Sequence, residues 1–190
     1  MRNAVLFIQG GGKGGYEADS KLASSLQRAL GADYDVRYPH MPNEGEPDYA
    51  AWKPCIENEL SGMAGEVFLV GHSAGGYMLL KYLSEESVPK APTLSVSIVG
   101  ICLIATPFPG GDDDWQFDGF SLPENLAAKL PDTAKVFLYH SRDDHIVPFA
   151  HVALYARKLP GATVRETSGG HQLHNDLSVV AQDIGNVHPC

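Results

Sequence analysis

The chain has 190 residues, with 14 Lys and Arg against 23 Asp and Glu, for a net charge of −9. With 44% apolar and 19% charged residues it reads as one globular domain with a sizeable core, which excludes a disordered chain of low hydrophobicity and high charge. The acidic balance, with no run of basic residues, excludes nonspecific nucleic-acid binding, which needs clustered cations on phosphates.

In chain order, the first apolar run, residues 4–8, reads as a buried strand. Its five apolar residues are too few for a secretory signal core, and no later stretch approaches the ~20 that cross a bilayer, so no membrane partner is expected. Gln9-Gly10-Gly11-Gly12-Lys13-Gly14-Gly15 leads into a helical pattern over 17–30, followed by a strand over 34–38 and a helix over 49–60. A strand over 67–70 runs directly into Gly71-His72-Ser73-Ala74-Gly75-Gly76 and a helix over 74–85. The fourth strand, 98–105, carries Cys102 as a core thiol. Cys55 and Cys190 are remote from it in sequence, so neither a disulfide framework nor a zinc site is expected, and a cytoplasmic location is. Residues 106–123, with Asp112–Asp114, Trp115, Phe117 and Phe120, form a long loop that reads as a lid or substrate wall. A helix over 124–130, a strand over 136–139, a helix over 149–159, a strand over 162–166 and a helix over 176–184 complete the pattern.

Strands apolar on both faces imply a mostly parallel six-stranded sheet covered by helices on both sides, a three-layer α/β/α sandwich. Ligands in such sheets sit beyond the carboxyl ends of the strands, and every chemically suggestive residue falls there. Gly71-x-Ser73-x-Gly75, between a strand and a helix, is a nucleophile-elbow pattern: the turn holds the Ser73 hydroxyl out at a helix N-terminus, and the glycines allow strand and helix to approach. His72 belongs to the same turn, with its ring expected to pack beneath it.

A serine needs a base. His171 follows the last strand behind Gly169-Gly170, which let the loop fold back toward Ser73; His174 is the alternative. The partner acid is expected after the 136–139 strand, where Asp144 stands three residues before Val147-Pro148 and Asp143 is the neighbour. A metal site from Asp143, Asp144 and His145 is the weakest reading of that loop, and no cofactor is expected. The negative charge that forms on an attacked carbonyl needs amide donors. The N–H of Ala74 is one and that of Gly11 the other, with Gly12 close behind. Gly10-x-Gly12-x-x-Gly15 also matches a dinucleotide fingerprint, but Arg37-Tyr38-Pro39 offers no acid after the next strand and no Gly-Lys-Ser/Thr follows.

With Ser73, Asp144 and His171 in this order, the chain resembles the α/β-hydrolase superfamily over nearly its whole length. The resemblance implies a strand order of 2-1-3-4-5-6, loss of the first two of the family's eight strands, no large cap, and likeness to the small serine hydrolases typified by retinoblastoma-binding protein 9. Gln9 stands where the family's oxyanion loop has His. The implied activity is acyl transfer to water from a small ester, with amidase, thioesterase, acyltransferase or a non-catalytic binding role as alternatives.

Overall fold

The computed structural model describes residues 3–85, 96–116 and 120–187, so Phe117 and Cys190 lie outside the described residues. The elements are β1 (Asn3–Ile8), α1 (Gly15–Leu30), β2 (Tyr34–Arg37), α2 (Tyr49–Ser61), β3 (Gly65–His72), α3 (Ala74–Ser84), β4 (Val96–Ile104), β5 (Lys135–Ser141), α4 (Ala150–Lys158), β6 (Thr163–Thr167) and α5 (Ser178–Val187). The six strands form one sheet in the order β2-β1-β3-β4-β5-β6, and every neighbouring pair is parallel.

Strand side chains alternate between faces, so each apolar strand feeds two cores. Leu6, Ile8, Leu69, Ile101 and Leu138 pack with Trp52 and Ile56 of α2, Met78 and Leu80 of α3, and Tyr155 of α4. Val5, Phe7, Phe68, Val70, Cys102 and Ile104 pack on the other side with Leu22 and Leu26 of α1 and Val180 and Ile184 of α5. Each such fully buried side chain contributes about 1.5–3 kcal/mol.

Two differences from the sequence pattern have clear causes. β3 runs on through Gly71 and His72, where the apolar run stops, because both residues pair with Leu103 and Ile104 of β4; the ladder, not hydrophobicity, sets the strand end. The helix expected over 124–130 is only a 3-10 turn, Leu126–Lys129. Pro131 pushes Leu130 into extended backbone, φ −75° and ψ 155°, and ends the turn before an α-helix can form. Among the described residues no helix is long and apolar enough to cross a membrane.

Candidate active site

Ser73 sits between β3 and α3 with φ 49° and ψ −120°. That is a strained conformation for a residue with a side chain, costing of order 1–3 kcal/mol. The surroundings hold it. Ser73 donates its N–H to Ile104 O at 2.8 Å, and Gly76 donates to Ser73 O at 3.0 Å. A Cβ at Gly75 would overlap the carbonyl oxygens of Ile8 and Gln9, and one at Gly76 would overlap Thr106 Oγ1, so α3 can approach the sheet only with glycine at both positions.

Past β6 the chain turns through Gly169 and Gly170, at φ 102° and 63°, and delivers His171. Its Nδ1 lies 2.8 Å from Asp144 Oδ2, so a neutral His171 donates from Nδ1 and keeps Nε2 as its basic nitrogen. Asp144 is fixed in turn, its Oδ1 accepting the N–H groups of Ile146 at 2.8 Å and Val147 at 2.9 Å. Burial works to raise the Asp144 pKa, but the hydrogen bonds of His140, His171 and Val147 and the charge of His171 overcome it. They hold the carboxyl well below the usual carboxylate range. His171 is pushed below the ordinary histidine range, by burial first and by the nearby His72, with Asp144 opposing.

The neighbours with similar sequence context are placed elsewhere. Asp143 is exposed and accepts the Gly169 N–H at 3.2 Å. His174 is exposed, with its amide bound to Gly169 O. His145 is exposed, and among the described residues no group of three His, Cys, Asp or Glu side chains could hold a metal ion.

Ser73 and His171 line one cavity of about 430 Å³ with the Gly10–Gly15 segment, Ala74, Pro47, Tyr77, Trp115 and Ile146. A larger groove of about 660 Å³ lies at the opposite ends of the strands, beside Lys135, Thr163 and Val187, away from all these residues. The glycine loop narrows the choice of a second amide donor. Gly10 donates to Asp19, Gly12 to Glu44 O, Gly14 to Glu44 Oε1 and Gly15 to Gly12 O. Gly12, the close alternative, is therefore engaged. Gly11 stands against Ala74: a Cβ on it would lie 3.2 Å from the Ala74 Cβ and would overlap Pro47.

Two acids missed in the sequence shape this loop. Glu44 accepts N–H bonds from Gly14, Tyr16 and the Gln9 side chain at 2.7–2.9 Å, which lowers its pKa, the Tyr16 bond most. Gln9 also accepts Met41 N–H at 3.0 Å and so clamps the loop from below. Asp19, buried on α1, binds Gly10, His72 and Gln172. Glu44 lies in a Pro-rich stretch with no readable pattern. Asp19 did leave a signal, an acid on the apolar stripe of Leu22, Ala23 and Leu26.

In the 106–123 segment, Trp115 lines the cavity while Phe120 packs edge-on to Tyr77, 5.0 Å between centroids. Phe149 packs edge-on to His140 and carries Arg142 over its ring, while Ile146 lines the cavity. Asp112 is occupied by His151, 2.8 Å away, and caps the short turn Asp113–Trp115.

A family model described as serine hydrolase matches residues 15–177. The chain belongs to the serine hydrolase family. No curated protein sequence matches it. Among solved structures, the ydeN gene product of B. subtilis shares 18% identity at a TM-score of 0.67, covering 98% of each chain. The esterase domain of a Rhodothermus marinus protein shares 18% at 0.62, covering 97% of this chain and 85% of that one. A predicted CIB-like hydrolase from Thermoplasma acidophilum shares 20% at 0.66, covering 97% and 86%. At these identities the likeness is one of fold: this serine hydrolase has the α/β-hydrolase sheet, with the elbow at the carboxyl end of β3.

Proposed function

We propose that the chain is a Ser-His-Asp hydrolase of small carboxylic esters, with Ser73 as nucleophile, His171 as base and Asp144 as the acid that orients it. The observation that carries this reading is the 2.8 Å contact of His171 Nδ1 with the buried Asp144 carboxylate, on a loop that shares one cavity with Ser73. His171 Nε2 takes the Ser73 proton as Oγ attacks the ester carbonyl. The N–H groups of Ala74 and Gly11 hold the oxyanion, worth roughly 3–4 kcal/mol per donor. The imidazolium then protonates the departing alcohol. Water, deprotonated by His171, releases the acid and restores Ser73, while Asp144 stays ionised throughout.

The cavity suits a small molecule, and Pro47, Tyr77, Trp115 and Ile146 favour an apolar acyl or alcohol group. Six strands without a cap among the described residues support likeness to the retinoblastoma-binding protein 9 type. The acidic surface and the free Cys55 and Cys102 fit a cytoplasmic enzyme acting on a small molecule without cofactor, membrane or nucleic acid. Amides, thioesters and transfer to other acceptors use the same residues, and a substrate panel ranks them.

The test is hydrolysis of p-nitrophenyl acetate and butyrate by wild type, Ser73→Ala and His171→Ala. Loss of hydrolysis in both variants is expected. Hydrolysis that survives Ser73→Ala overturns the nucleophile. If wild type is inactive, a fluorophosphonate probe that fails to label Ser73 decides for a binding protein.

A further inference from the structure

One carboxylate outside the proposed triad touches all three segments that build the site. Asp19 is 1% exposed on the inner face of α1. Its Oδ2 accepts the Gly10 N–H at 2.7 Å and faces His72 Nδ1 at 2.8 Å, and its Oδ1 accepts the Gln172 side-chain amide at 2.9 Å. His72, also 1% exposed, turns its other ring nitrogen to the carbonyl oxygen of His171 at 3.0 Å.

These partners fix the protons. A carbonyl oxygen only accepts, so His72 Nε2 carries a hydrogen. A carboxylate taking two further N–H bonds is held in its ionised form and also only accepts, so Nδ1 carries one as well. A histidine protonated on both nitrogens is a cation. A charge this deeply buried persists only when paired and hydrogen-bonded, and Asp19 supplies both. The His72 ring centroid lies 4.7 Å from that of His171, at an interplanar angle of 55°.

We propose that His72 is a buried imidazolium, held by Asp19, that positions the His171 loop and keeps the His171 ring neutral. The proposal rests on the reading of His171 as the base. The groups around His171 divide by sign. Asp144, from the loop after β5 with His140 behind it, draws a proton to the ring, and Asp19 does so from farther away. Asp143 acts on the loop backbone at Gly169, and His72 is the cation that opposes the carboxylates. Burial drives the His72 pKa down, yet the charge and hydrogen bond of Asp19 overcome it and leave it raised. His72 thus makes His171 available as a base in mildly acidic solution. It also makes the protonated ring a stronger acid toward the leaving group, without disturbing the Nδ1 bond to Asp144.

Long-range proton–nitrogen NMR of histidine-labelled protein reads these charges directly. At neutral pH the wild type shows His72 protonated on both nitrogens and His171 on Nδ1 alone. In His72→Asn the titration midpoint of His171 moves to higher pH. The acidic limb of kcat/KM follows, so the loss relative to wild type is about tenfold greater at about pH 5.5 than at about pH 8. A neutral His72 in the wild type overturns the proposal. So does a His171 midpoint unmoved by the substitution, because a packing role alone lowers activity equally at every pH. If His72→Asn fails to fold, Asp19→Asn serves: His72 then loses its counter-ion, burial pushes it below the ordinary histidine range and it is neutral at neutral pH, and a His72 that stays charged there overturns the pairing. The NMR arm needs no substrate. A wild type without Ser73-dependent hydrolysis defeats the esterase reading and leaves the charge assignment decided by the spectra.

Discussion

Asp143 and Asp144 are adjacent in sequence, and one turn of backbone separates their fates. Asp144 faces His171 while Asp143 holds the amide of Gly169 in solvent. Asp144→Asn preserves shape but replaces the acceptor that fixes the His171 tautomer, so kcat on p-nitrophenyl acetate is expected to fall about 10³–10⁴-fold. Asp143→Asn is expected to change it by less than about threefold, because its hydrogen bonds are exposed. The pH dependence follows from the base. On the proposed mechanism only neutral His171 accepts the Ser73 proton, so kcat/KM is expected to rise with pH through the His171 pKa. Because burial lowers that pKa, the rise is expected below the usual histidine midpoint of about 6.5; a rate profile that rises above it refutes the assignment. At this scale Ser73 and His171 are legible in the sequence because a sharp turn and a glycine pair leave a local pattern. Glu44 is not, because its role comes from three donors brought to it by the fold.

The interfaces between elements are set by contacts that single residues cannot display in sequence. Gly76 of α3 meets Thr106 just after β4, where an added methyl overlaps the threonine hydroxyl. Gly76→Ala is expected to destabilise by about 1–3 kcal/mol, read as a shift of the urea midpoint, and Thr106→Ala should recover part of it. Strict additivity of the two substitutions would show that they do not meet. The segment from Thr106 to Trp115, which puts Trp115 on the cavity, is held by α4. His151 accepts the Phe108 N–H at Nδ1 and meets Asp112 at Nε2, both at 2.8 Å. His151→Ala releases both contacts and the Trp115 edge, so KM for the butyrate ester should rise several-fold more than for the acetate, while equal KM values would remove Trp115 from the substrate wall. Six strands could be read from apolar runs bounded by glycine and proline. The 124–130 segment misled because its helical spacing is real, but Pro131 leaves it a single turn.

Across the whole molecule, Asp19 and Asp144 share a linkage to pH. Both have native pKa values below their unfolded value, Asp19 through His72 and its amide partners despite burial, Asp144 through its own hydrogen bonds. A depressed carboxylate contributes stability above its unfolded pKa of about 3.9 and loses it as pH falls through the native value. His72, raised, contributes below about 6.5 and loses its share only at higher pH. Urea midpoints should therefore fall below about pH 4, and the fall should be shallower in Asp144→Asn, which has no such proton to gain.

The tie from Asp19 to Gln172 spans 153 positions of chain. During synthesis the elbow emerges with its glycines and its serine while most of β4, β5 and the base loop are still unmade. On the proposed mechanism, a nascent chain at that stage carries the nucleophile and both members of the Asp19–His72 pair, but no base and no orienting acid. On that reading the Ser73 hydroxyl gains its base only once the segment that carries His171 and Gln172 has been made and tied back to Asp19.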